Sequence, residues 1–117
     1  MTLPPRLAKK PKRSSRWRSQ AHLSFVRKHH CAMEGCLSIP IQAAHVRLGS
    51  GAGMGQKPDD WRAVPLCKWH HTIQHEMGEE TFGREYEDGG HGSVEELIDA
   101  FCKASPKARE IREVRNG

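Results

Sequence analysis

Acidic residues are missing from the first 33 positions of this 117-residue chain. Nine Lys/Arg stand there against none, giving +9, while the ten that follow face all fourteen acids, giving −4. The overall +5 therefore hides a basic front and an acidic remainder, and a front of that kind suits a polyanionic partner. Aromatics are few, with one Tyr, three Phe and three Trp, and only 36% of residues are hydrophobic. A core built from so little apolar surface is marginal in a domain this small, which favours stapling by metal. No apolar run approaches the roughly 20 residues that a membrane-spanning helix needs. The first residues lack the apolar stretch of a signal peptide, so a cytoplasmic chain with no membrane partner is expected. Its four cysteines then read as ligands or buried thiols rather than disulfides. Walker and Rossmann glycine spacings are also absent, which excludes nucleotide binding of those kinds.

What is present divides the chain into three parts. Residues 1–18 (MTLPPRLAKKPKRSSRWR) hold Pro4, Pro5, Pro11 and seven basic side chains, and are expected to form a flexible, disordered basic arm. Arg13, Arg16 and Arg18 are its candidate DNA contacts. Residues 19–105 carry the folded core, and 106–117 form a charged tail, either a helical extension or a frayed end. Ser19 suits the N-cap of a helix reaching about His30, with His22, His29 and His30 at the surface or the edge of the core. An extended segment over 39–46 places Ile39, Ile41, Ala43 and His45 on one face, and Pro40 confines its start to an edge.

Residues 47–60 are a loop with glycines at 49, 51, 53 and 55, and Arg47 and Lys57 at its edges suit phosphates. A second strand is expected over Trp61–Leu66, then a helix over Lys68–Met77 stopped by Gly78. A short helix around Thr81–Tyr86 follows, ending at Gly89-Gly90. Ser93 and Glu96 make a capping box for a last helix, whose buried stripe is Val94, Leu97, Ile98, Phe101 and Cys102. Cys102 has no ligand neighbour and reads as a core thiol, and His91 as a lone loop histidine. The fold class is α+β, a compact strand–strand–helix unit with flanking helices.

Within that unit thiols and imidazoles crowd together. Cys31-x4-Cys36 and Cys67-x-x-His70 offer three sulfurs and one nitrogen, the donor set of a structural zinc site. His71 and His75 lie at i and i+4, one turn apart on one helix face, where two imidazoles can meet on a second cation. His70 is rotated by about 100° from His71 and serves the first set rather than the second.

The stretch Ala43-Ala44-His45-Val46-Arg47, then Gly53-Met54-Gly55-Gln56-Lys57-Pro58, Val64-Pro65-Leu66-Cys67 and His70-His71 resembles the HNH, or ββα-metal, endonucleases. It is closest to phage- and prophage-encoded members of the recombination-enhancement type. The likeness covers residues 22–83. It implies a zinc-stapled ββα-metal nuclease core, with Cys31, Cys36, Cys67 and His70 on structural zinc. His71 and His75 would hold a catalytic Mg²⁺, Mn²⁺ or Zn²⁺, and His45 would be the general base. DNA in a bacterial host is the implied substrate, with a recombinase filament as a further partner of these relatives.

Two positions depart from the family pattern. Ala44 stands where many members carry a metal ligand, and the Asn that orients the base has no clear counterpart. Asp59, Asp60 or Arg62 is nearest in sequence, and Asp60 is favoured as orienter or third ligand. The alternative from a different class is a zinc-stabilised DNA-binding recombination accessory protein that cleaves weakly or not at all. A third reading is a structural zinc protein that binds other proteins through its acidic C-terminal half.

Overall fold

Residues 16–52, 56–90 and 92–116 are described by a computed structural model. The segment up to residue 15, with Arg13, and His91 lie outside them. The fold is a small α+β arrangement with, among the described residues, one two-stranded sheet and five helices. The helices are α1 (Gln20–Arg27), α2 (Lys68–Met77), α3 (Glu79–Asp88), α4 (Val94–Ala104) and α5 (Ala108–Asn116). The strands are β1 (Ile41–His45) and β2 (Ala63–Cys67), and a 3-10 turn over Asp60–Arg62 leads into β2. No helix is long and apolar enough to cross a membrane among the described residues.

Local chemistry sets most boundaries. Ser19 caps α1 by accepting the His22 N–H, and Ser93 caps α4 by accepting the Glu96 N–H. Gly78, at φ +88°, ends α2 and starts α3 in a conformation open to glycine at little cost. The strands pair antiparallel, with Ile41 opposite Cys67 and His45 opposite Ala63. Pro65 sits inside β2 with no N–H to give, yet its carbonyl accepts the Ala32 N–H at 2.8 Å and ties the Cys31–Cys36 turn to the sheet. Helix α1 packs on both strands, and α4 packs on β2 and the 3-10 turn. Leu66, Ile98, Ile111 and Val26 are fully buried at the centre, each contributing about 1.5–3 kcal/mol by leaving water. Ile98 and Cys102 hold the buried stripe of α4 as its spacing predicts.

Four expectations change. On β1 the buried positions are Ala44 and, just beyond the strand, Val46, while Ile39 is 84% exposed. The small Ala44 fits under the packed helices, so the apolar face is the one opposite His45. The second strand begins at Ala63 rather than Trp61, because Asp60 and Arg62 spend their polar groups on turning the chain. His22 is fully buried, its Nδ1 2.8 Å from the Ser105 hydroxyl, whereas His29 and His30 are exposed. The boundary at residue 18 falls inside ordered chain: Trp17 N–H donates to Asp59 Oδ1 at 2.6 Å, and Trp17 Nε1–H to Glu110 at 2.9 Å. The tail from 108 is helical, with Ile111 anchored in the core.

Candidate metal centre and cleft

Helix α2 follows β2 with no intervening loop, so consecutive residues leave the sheet toward different sides. Cys67, the N-cap of α2, accepts the His70 N–H on its sulfur at 3.3 Å. Across from it the turn Cys31–Cys36 closes with Cys36 N–H donating to Met33 O at 3.1 Å, and Gly35 takes φ +71° at its bend. The result is a cluster of Cys31, Cys36, Cys67 and His70 whose donor atoms all lie within 4.8 Å of one another. His70 Nδ1 is 3.3 Å from Cys31 Sγ and 3.2 Å from Cys67 Sγ, and Cys36 Sγ is 3.8 Å from Cys67 Sγ. Ligands at zinc distances on a tetrahedron are about 3.8 Å apart for two sulfurs and about 3.5 Å for sulfur and nitrogen. The four residues therefore fit a structural ion such as zinc. Without one, burial pushes the Cys31 thiol up to about 11, so a cation is what makes its thiolate tenable here.

One residue further along α2, the side chains turn to a cleft of about 420 Å³ lined by His45, Arg47, Lys57, Pro58, His71 and His75 together with Gln74, Gly78 and Glu79. His71 Nε2 and His75 Nε2 are 3.2 Å apart, close to the roughly 3.3 Å between two nitrogens sharing one tetrahedral ion. His71 Nδ1–H donates to Gln42 Oε1 at 2.6 Å, which turns the Nε2 lone pair toward His75. Burial lowers the His71 imidazole below its ordinary value, and the neighbouring His75 and His45 lower it further, so it stays neutral and able to bind a cation. The pair supplies two protein nitrogens at the spacing of neighbouring ligands. Among the described residues the Cys/His cluster is the one group of three or more candidate ligands lying together.

At the end of β1, His45 Nε2 meets Asp60 Oδ1 at 2.8 Å. Of Asp59, Asp60 and Arg62, it is thus Asp60 that touches the histidine. Asp59 holds Trp17 and Arg16, and Arg62 holds the Val46 and Leu48 carbonyls and the Glu95 carboxylate. Asp60 is buried, and burial alone would raise its carboxyl. Hydrogen bonds from His45 and the Ser19 N–H, with the Arg18 charge, hold it below the ordinary carboxylate value instead. An ionised carboxylate only accepts, so Nε2 carries the hydrogen and Nδ1 keeps a lone pair. For His45 itself, burial lowers the imidazole and outweighs the opposing pull of Asp60.

The other sequence candidates divide. Arg47 and Lys57 line the cleft. Arg16 and Arg18 turn to Asp59, Asp60 and loop carbonyls, and Arg13 is outside the described residues. Cys102 is buried, with Sγ 3.4 Å from Trp61 O, as a core thiol. Sequence reasoning missed Gln42 and Glu79. A glutamine amid the small and apolar residues of β1 was the available signal for Gln42. Glu79, which accepts the Arg47 and Leu48 N–H groups at 2.6 and 3.1 Å and pins the start of the glycine loop, carried none.

A family described as "Protein of unknown function (DUF968)" matches residues 3–105. Among curated proteins, "Uncharacterized protein YdfU" of Escherichia coli (strain K12) is 35% identical over 99 residues, covering 84% of this chain and 26% of that protein. The chain spans about a quarter of the length of the curated relative it matches. No solved structure matches.

Proposed function

The chain belongs to the DUF968 family, and we propose that this member is a metal-dependent DNA endonuclease built on a ββα-metal (HNH) core. The observation that carries the reading is the single cleft lined by His45, held by Asp60, and by the paired imidazoles of His71 and His75. The strand–turn–strand–helix order and the Cys/His cluster behind it support the same reading. Nδ1 of His45 takes a proton from water as the water oxygen bonds to phosphorus and the bond from phosphorus to the 3′ oxygen breaks. Asp60 keeps the imidazole in the required tautomer and stabilises its charged form. Arg47 and Lys57, at the rim, place the phosphate. His71 and His75 would hold a divalent cation, which would supply Lewis-acid stabilisation of the charge that develops during cleavage. Among the described residues no element resembles a base-reading helix, so cleavage with little sequence preference is expected, in a role in recombination or DNA processing.

The test is plasmid nicking with Mg²⁺, Mn²⁺, Ni²⁺ or Zn²⁺. Wild type is expected to nick with at least one ion and His45→Ala to lose the activity. Equal inactivity of both, across all ions and DNA forms, overturns the reading. One observation favours a second reading, a zinc-stabilised DNA-binding accessory protein: the position before His45 is Ala44, fully buried, so it gives the cleft no third ligand.

A further inference from the structure

Two of the residues that precede α1, Arg18 and Ser19, are bound to the carboxylate behind His45. Ser19 N–H donates to Asp60 Oδ2 at 2.8 Å and Arg18 Nη1–H to Oδ1 at 3.3 Å. Asp60 N–H returns a bond to Trp17 O at 2.9 Å. Arg18 also grips the Lys57 carbonyl at 3.0 Å and the Pro58 carbonyl, on the strip of loop whose residues line the cleft. One oxygen of a carboxylate that is 1% exposed therefore serves both Arg18 and His45. Arg18 is thus the guanidinium partner of Asp60, and the neutral His45 imidazole shares the same oxygen.

We propose that Arg18 is a positioning residue: through Asp60 and the 57–58 carbonyls it fixes the tautomer and orientation of His45 and the rim that carries Lys57. The inference rests on the nuclease reading for its catalytic consequence, but not for its structural content. It makes residues 16–19 part of the support of the general base.

The test compares Arg18→Gln, Arg18→Lys and, as a charge-matched control, Arg27→Gln, in the full chain loaded with zinc at the Cys/His cluster. Arg27 is on the last turn of α1, away from these contacts. Arg18→Gln is expected to lower kcat for plasmid nicking about tenfold with KM for DNA within about twofold. Arg18→Lys is expected to restore part of kcat, and Arg27→Gln to change neither constant. Independently of activity, the imidazole ¹⁵N signals of His45 are expected to move from the pattern of an Nε2–H tautomer toward a mixture in Arg18→Gln. A rise in KM alone, with His45 signals unaltered, overturns the proposal and makes Arg18 a phosphate contact. If wild type cleaves nothing, the nuclease reading fails, while the ¹⁵N signals still decide the strap. Should Arg18→Gln not fold, Arg18→Lys carries both readouts, and wild-type values for it overturn the proposal.

Discussion

His70 and His71 are neighbours in the chain and opposites in surroundings. His70 faces three sulfurs in a cluster that is full once one ion is bound. His71 faces one imidazole and one amide oxygen beside an open cleft. The first arrangement satisfies a tetrahedral ion completely and leaves nothing to react, which is the mark of a structural site. In the proposed nuclease the second would leave coordination positions open for water and a phosphate oxygen. A rotation of about 100° along one helix separates the sulfur-rich cluster from the cleft.

The largest expected effect breaks the braced side. Cys67→Ser, or extraction of the ion by a strong chelator, removes a metal contribution of about 10–16 kcal/mol from a domain whose total stability is on the order of 5–15. Loss of the cooperative transition in far-UV circular dichroism, with zinc content falling from one equivalent to none, is the expected outcome. The double change His71→Ala, His75→Ala should keep that equivalent and the transition. If it abolishes the fold as Cys67→Ser does, the contrast between the two sides is wrong.

A smaller effect is expected at the carboxylate. Asp60→Asn keeps an acceptor for the Ser19 N–H but allows an amide N–H to face His45 Nε2, which selects the wrong tautomer. Nicking should fall about 100-fold in kcat, or about 2.7 kcal/mol, with zinc content and melting little changed. An unchanged kcat would remove Asp60 from the mechanism. Smaller again is Gln42→Leu, which frees His71 Nδ1. About tenfold weaker binding of a second cation is expected by calorimetry, at unaltered affinity of the first. Equal weakening of both would show that the two sites are not independent.

How much of this was legible depended on whether the information was local. Caps at Ser19 and Ser93, the stop at Gly78, the buried Ile98 and Cys102 of α4 and the Cys-x4-Cys and Cys-x-x-His spacings are written within a few residues, and the fold brings each about as read. The contact of His45 with Asp60 could be narrowed to three candidates, because Asp59, Asp60 and Arg62 are nearest in sequence to where the resemblance expects an orienting Asn. What stayed hidden was set by pairing across the fold. Ala44 rather than Ile39 is buried because helices, not a second sheet, cover β1. Arg16 and Arg18 looked like free cations because their acids lie 43 and 42 positions later. Gln42 read as an ordinary strand residue because its partner is 29 positions away on α2.

The smallest effect concerns His22, the one fully buried histidine among the described residues. His22 Nδ1 bonds Ser105 Oγ, and Nε2 is buried with no partner. Burial lowers its pKa below the ordinary 6.5, His45 adds to the lowering, and Asp60 opposes it. Below 6.5 the unfolded chain thus takes up a proton that the folded chain refuses. Stability from this group is complete above that value, falls as pH drops beneath it, and is gone once pH passes the lowered folded value. His45 and His71 are shifted in the same direction, so they tilt the curve the same way, and the His22 share is isolated by substitution. Urea unfolding at about pH 7.5 and about pH 5.5 should show a loss for wild type that shrinks in His22→Gln, with cleft and zinc cluster unchanged in sequence. An identical loss in both proteins would assign the acid sensitivity to the imidazoles of the cleft or the zinc ligands, and so sharpen which of the two sides yields first.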